Sequence, residues 1–181
     1  MRRVAFGAMQ VWTGVMISGA ALLVIAGVPK LRRPGPTITA LRSVGAVRVG
    51  PATVRGLAAA EVTAGLLAIV AGGRWADGAV TLLYLGFTGF LLRALQTPTA
   101  SCGCTASEDT PPSIGHLAMT SVFAAAGVAA LIAGGRTGLI QVTSDTGAAD
   151  LVAVVGFAAI TTWLAWSILT LSTPLPAARR T

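Results

Sequence analysis

This chain is poor in charge. Asp, Glu, Lys and Arg make up 10% of its 181 residues, against 54% apolar residues and a mean hydropathy of +0.78. A soluble domain carries roughly 25% charged residues, because water must be met by something polar. The 13 basic and 6 acidic side chains here cannot clothe a globule. They can clothe the two ends of a helix bundle whose sides face lipid. Also lacking are a Walker motif, a dinucleotide-binding motif, a long internal repeat and a low-complexity tract, which sets aside phosphate-cradling sites and solenoids. The net charge of +7 does not point to nucleic acid, since basic residues at membrane ends meet anionic headgroups.

What is present is long uncharged runs. A span needs about 20 apolar residues to cross roughly 30 Å of hydrocarbon. Met9 to Val28 is one such run. Gly56 to Gly72 is a second, broken only by Glu61; Ala79 to Leu95 is a third, with Arg93 near its end; Ile114 to Ala133 is a fourth, with His116 near its start. Leu151 to Leu171 is a fifth and holds Trp163 and Trp166. Arg2 and Arg3 precede the first run, but it is too long for a signal-peptide core and Val28-Pro29-Lys30 is not a small-residue cleavage site, so it reads as a retained span. The runs are continuous rather than alternating, which rules against a barrel. Small residues recur at helical spacing, at Gly14 and Ser18, Ala60 and Ala64, Glu61 and Gly65, Gly86 and Gly89. Such spacing lets helices approach closely in lipid, although an abundance of Gly and Ala alone also produces it.

The expectation is an all-α polytopic transmembrane bundle: a four-helix core over residues 1–135 and a fifth C-terminal span within 136–181, preceded by an exposed, mobile Gly/Thr/Ser-rich connection, Gly134 to Asp150. Residues 34–52 place Pro34, Pro36 and Pro51 around Arg42 and Arg48, interleaved with Ile38, Leu41, Val44, Val47 and Val49. That pattern reads as an amphipathic segment lying at the interface. Residues 97–113 hold the only two cysteines.

Alternating spans put chemistry at one end. The end of span one, the start of span two, the end of span three and the start of span four share a membrane side. Lys30, Glu61, Arg93, Cys102, Cys104 and His116 therefore converge, and they include the only Lys and the only His of the chain. Lys30 either snorkels from a helix end or pairs inside. Glu61 lies about five residues, roughly 7–8 Å, into its span at 1.5 Å per residue. An unpaired ionisable group there costs ~2.5 kcal/mol or more, so Glu61 is either a partner of Lys30 or Arg93 or a proton carrier. Arg93 and His116 also read as interfacial polar groups without a special task.

Ser101-Cys102-Gly103-Cys104 sets two thiols either side of a Gly. Bridging them needs a Cα separation of about 4.4–6.8 Å, hence a tight bend that Gly103 permits. So small a ring constrains little chain entropy, which favours an exchangeable disulfide over a structural staple. Arg93 or His116 nearby would favour the thiolate that attacks or leaves. A metal site of Cys102, Cys104 and His116 is the alternative. Three ligands are few for a closed zinc site, while soft sulfur suits Cu(I).

Val28-Pro29-Lys30-Leu31, the run Glu61-Val62-Thr63-Ala64-Gly65, and Arg93 followed by Ser101-Cys102-Gly103-Cys104 resemble the methylamine utilisation protein MauE family, related to DoxX-like four-helix membrane proteins. The resemblance covers about Met9 to Ala133. This chain departs from the family after Cys104, where relatives continue with Phe-Gly and it has Thr105-Ala106 and then Ser107 to Pro112; the fifth span also lies outside the family pattern. The resemblance implies a plasma-membrane redox role: a redox-active Cys102–Cys104 pair accepting electrons from a thioredoxin-like partner or secreted client and passing them to a membrane quinone. Lys30 and Arg93 would then steady thiolate or quinol charge and contact the quinone, with Glu61 or His116 moving protons. A non-catalytic assembly subunit, or a copper-handling protein, is the alternative.

Orientation is contested within the sequence. The cysteine side carries Lys30, Arg32, Arg33, Arg42, Arg48, Arg55, Arg179 and Arg180, the other side Arg2, Arg3, Arg74 and Arg136. Counting places the cysteine segment in the cytoplasm. A working disulfide belongs in an oxidising compartment, and the resemblance also favours the extracytoplasmic side, which is the expectation adopted.

Overall fold

The computed structural model describes residues 2–46, 48–97, 112–132, 134, 137–145 and 147–171. Among these residues the chain is all helix: α1 (Arg2–Arg32), α2 (Gly35–Ser43), α3 (Pro51–Val70), α4 (Arg74–Leu95), α5 (Ile114–Ile132), α6 (Leu139–Asp145) and α7 (Ala148–Leu171). Four are long and apolar enough to cross a membrane: α1 from Trp12, α3, α4 and α5. The apolar stretch Leu151–Ser167 of α7 is shorter. Leu82, Ile132, Val152 and Trp163 are among the large apolar side chains left exposed on the bundle's sides, where lipid can meet them. Trp75, 94% exposed in the first turn of α4, sits where an interfacial aromatic belongs.

The helix starts follow local chemistry. Pro51 occupies the first position of α3 behind Gly50, where its missing N–H costs nothing and its fixed φ already suits a helix. Pro36 does the same one residue into α2, which presents Thr37 and Ala40 inward and Arg42 outward. Between α3 and α4 the chain reverses through Gly72 and Gly73, both at positive φ (62° and 93°), a conformation that costs other residues about 1 kcal/mol or more.

Packing is centred on α1, which touches α3, α4, α5 and α7. With α3 the approach is close: a Cβ on Gly65 would lie 2.6 Å from the carbonyl oxygen of Ala20, and one on Gly27 would lie 3.0 Å from that of Ala58. Without a hydrophobic drive between helices in lipid, such backbone proximity is what dispersion and polar contacts work through. Between α4 and α5, Gly127 seats the side chain of Thr81. Met16, Leu23, Ala68, Val80, Tyr84 and Phe123 fill the centre. Tyr84 stacks at 5.1 Å on Phe123 and donates its hydroxyl to Gly19 O of α1 at 2.7 Å, so its polar tip is satisfied inside the bundle.

Three sequence expectations change. Gly86 and Gly89 face open space rather than a neighbouring helix, because α4 turns its Val80, Tyr84 and Leu91 face inward. The connection 134–150 is not simply an exposed linker: it contains α6, and Gly138 lies against the backbone of Ala71 and Gly72 with no room for a Cβ. And α4 starts at Arg74, not near Ala79, so Asp77 is part of the helix and fully buried. The fifth helix packs on α1 and only slightly on α5 and α6. It is held there by Ser18 Oγ, 3.1 Å from Ala158 O, and by Phe157 against Gly14.

Candidate functional site

At the end where α1 finishes, Lys30 and Glu61 meet. Lys30 Nζ donates to both carboxylate oxygens of Glu61, at 2.8 and 2.9 Å; the residues are 5% and 0% exposed. The α3 helix continues past the end of α1, so Glu61, ten residues beyond Pro51, is level with the last turns of α1. Gly27, one turn before Lys30, is what lets α3 come near enough: a Cβ there would lie 2.8 Å from Val62, 3.0 Å from Ala58 O and 3.3 Å from Glu61 Cβ. The pair answers the cost of each charge in lipid with the opposite charge in bidentate contact. Of the two partners that the sequence offers Glu61, it is Lys30 that binds it.

The ammonium of Lys30 also lies 4.9 Å from the centre of the Phe87 ring, within cation–π reach. It has three donors and Glu61 takes two. Two pockets share Lys30 and Phe87 as walls. The larger, about 240 Å³, lies between α2, α3 and α4 and is otherwise apolar apart from Thr37; Leu57, Leu83 and Phe90 are among its lining residues. The smaller, about 50 Å³, is lined by α1, α4 and α5 with Trp166 of α7, and His116 and Thr120 lie on its wall.

His116, 1% exposed, opens α5. Its Nδ1 is 2.6 Å from Ser113 Oγ, and that oxygen also accepts the His116 backbone N–H at 3.2 Å, an N-terminal cap closed by the residue it caps. Its Nε2 is buried and has no hydrogen-bond partner among the described residues.

Arg93 does not join this cluster. It is exposed, and its Nε donates to Val44 O at 2.9 Å, while Arg42 donates to Val49 O at 2.9 Å; both guanidinium groups tie down the connection between α2 and α3. Cys102 and Cys104 lie outside the described residues. Among the described residues no three His, Cys, Asp or Glu side chains gather to hold a metal. The structure thus brings Lys30, Glu61 and His116 to one end of the bundle and leaves Arg93 at its rim.

Sequence reasoning missed Asp77. At the opposite end of the bundle its Oδ1 accepts from Thr137 Oγ1 at 2.5 Å, its Oδ2 has no partner among the described residues, and Thr81 Oγ1 donates to its backbone carbonyl at 2.6 Å. The signal was available: Asp77 falls on the same helical face as Val80, Thr81, Tyr84 and Leu91, the buried face of α4. It was lost by starting the span after the charge. The carboxyl anchors the α5–α6 connection to α4.

A family model described as methylamine utilisation protein MauE matches residues 8–135, the stretch that holds α1 to α5. No curated protein and no solved structure matches the chain.

Proposed function

Because the chain belongs to the methylamine utilisation protein MauE family, we propose that it is a multi-pass membrane thiol–disulfide redox protein serving methylamine-utilisation-type maturation, a thiol:quinone oxidoreductase. Cys102 and Cys104 exchange disulfide with a thioredoxin-like partner or secreted client through a mixed disulfide, on the extracytoplasmic side. The reduced pair then gives up two electrons and two protons as the S–S bond forms, and a membrane quinone takes up both as the quinol.

The observation that supports this reading is the buried Lys30–Glu61 pair at the wall of an apolar pocket, at the end of the bundle from which the cysteine segment leaves. A charge pair is expensive in lipid and is kept where chemistry uses it. The pocket suits a quinone ring: Phe87, Phe90 and Leu83 supply apolar contact, and the Lys30 ammonium supplies a donor for a carbonyl oxygen. Glu61, hydrogen-bonded to that ammonium, can hold a proton in transit. Arg93, at the rim, keeps a positive charge near the root of the cysteine segment.

A single turnover tests it. Protein in lipid nanodiscs, reduced and then freed of reductant, is mixed with decyl-ubiquinone while quinone absorbance and free thiols are followed. One quinone should be reduced per chain as both thiols disappear. Cys102→Ser and Cys104→Ser variants should reduce none. Thiols that stay free in the unsubstituted protein, with quinone absorbance unchanged, overturn the reading.

A further inference from the structure

We infer that the small pocket between His116 and Lys30 is a water site that joins the sole histidine to the buried ion pair, making Ser113–His116–water–Lys30–Glu61 a continuous hydrogen-bonded line through the end of the bundle. Its use as a proton path rests on the redox reading above; its existence does not.

Two independent observations carry it. The first is an unsatisfied group. His116 is 1% exposed, its Nδ1 is engaged with Ser113 Oγ, and its Nε2 lies buried without a partner among the described residues. A buried polar atom left unpaired costs about 1–3 kcal/mol, and native structures seldom leave one so. The second is a space of fitting size, apolar over most of its wall and polar at His116, Lys30 and Thr120. The pocket of about 50 Å³ has His116, Lys30, Tyr84 and Thr120 among its walls. About 10–15 Å³ of such volume holds one water, provided 2–4 polar partners are within reach. The Thr120 hydroxyl donates elsewhere, to Leu117 O, and so keeps lone pairs for accepting. Lys30 has one N–H beyond the two that Glu61 takes. Water suits either tautomer of His116: it donates to Nε2 when Ser113 accepts from Nδ1–H, and accepts from Nε2–H when Ser113 donates.

The line connects two places the fold otherwise separates. Ser113 stands at the start of α5, where the cysteine-bearing segment rejoins the described chain, and Lys30 is also a wall of the larger lateral pocket. Two protons leave two thiols in the proposed oxidation and two are needed by the acceptor. A path that keeps them inside the bundle lets proton follow electron without crossing lipid.

Because the chain has one histidine, ring ¹⁵N labelling gives one pair of signals. In nanodiscs, Nε2 of His116 should show a correlation with water protons, and Lys30→Met should move the Nε2 shift, whereas Asp77→Asn, at the far end of the bundle, should not. Ala26→Leu, which fills the pocket from α1, should abolish the water correlation; Thr120→Leu does the same from α5 should the first variant fail to fold. An Nε2 without water contact in the unsubstituted protein, or one whose shift ignores Lys30→Met, overturns the inference. A hydrated Nε2 in a protein that oxidises no thiol would instead leave the line standing and remove the redox reading.

Discussion

Lys30 and Glu61 have each other and little else, so the loss of one strands the other. Glu61→Gln preserves shape and removes only charge, leaving an ammonium at a site 5% exposed. Breaking a buried pair from one side costs about 3–5 kcal/mol, whereas replacing both members is often neutral. Denaturant unfolding in detergent should therefore show Glu61→Gln strongly destabilised, and the double variant Lys30→Met, Glu61→Gln restored close to the parent. Equal stability of Glu61→Gln and parent would reduce Glu61 to a tolerated polar residue. The same residues show how far the sequence carries. Parity of the spans placed Lys30, Glu61 and His116 at one end, because alternation needs no side-chain detail. It could not choose between Lys30 and Arg93 as the partner of Glu61. That choice depends on Gly27 admitting α3 and on the α2–α3 connection offering Val44 O to Arg93, both tertiary matters.

The helices differ in what their glycines do, and this separates two outcomes for one kind of substitution. Gly65 of α3 faces the backbone carbonyl of Ala20, which cannot rotate aside as a side chain can. Gly65→Ala should force the helices apart and cost about 1–3 kcal/mol, as overpacking does. Gly86 and Gly89 of α4 meet nothing within 4 Å. Gly86→Ala and Gly89→Ala should be neutral or stabilising by up to about 1 kcal/mol through helix propensity. Thermal melts in one detergent compare the three directly, and a Gly86→Ala protein that melts well below Gly65→Ala would reverse the assignment of faces. Small-residue spacing announced close packing without saying where. Gly14, Ser18 and Gly65 are contacts, Gly86 and Gly89 are not, and nothing in the spacing distinguishes them.

For the whole molecule, the bundle of α1, α3, α4 and α5 contains the buried pair, the central Tyr84 and both pockets' main walls, while α7 leans on α1 from outside. A chain ending before Leu151 should still insert and remain monodisperse, with a lower melting temperature because Ser18 loses its Ala158 partner and Ala165 leaves the core. Aggregation of that truncation would show that the four helices do not suffice. Orientation is tested by a membrane-impermeant maleimide on intact cells after mild reduction. Labelling of Cys102 and Cys104 places them outside; labelling only after permeabilisation places them inside and sinks export of disulfides. The four long helices were legible because apolar length is a local property. The place of α6 was not, since it depends on Gly138 meeting the α3–α4 turn and on Thr137 meeting Asp77, contacts between residues 60 or more apart in the chain.

The ion pair also has a consequence for biogenesis. Its two halves lie on consecutive spans, Lys30 on α1 and Glu61 on α3, joined by the short α2 segment. Glu61 emerges into the membrane when Lys30 is already there to receive it, and Gly27 and Gly65 let the hairpin close at once. A hairpin of α1 with α3 thus neutralises its own charges before α4 and α5 follow as a second hairpin, with Thr81 seated against Gly127. A nascent chain arrested after α3 would carry a finished ion pair into the bilayer, with the α4 wall of the adjoining pocket still to be made.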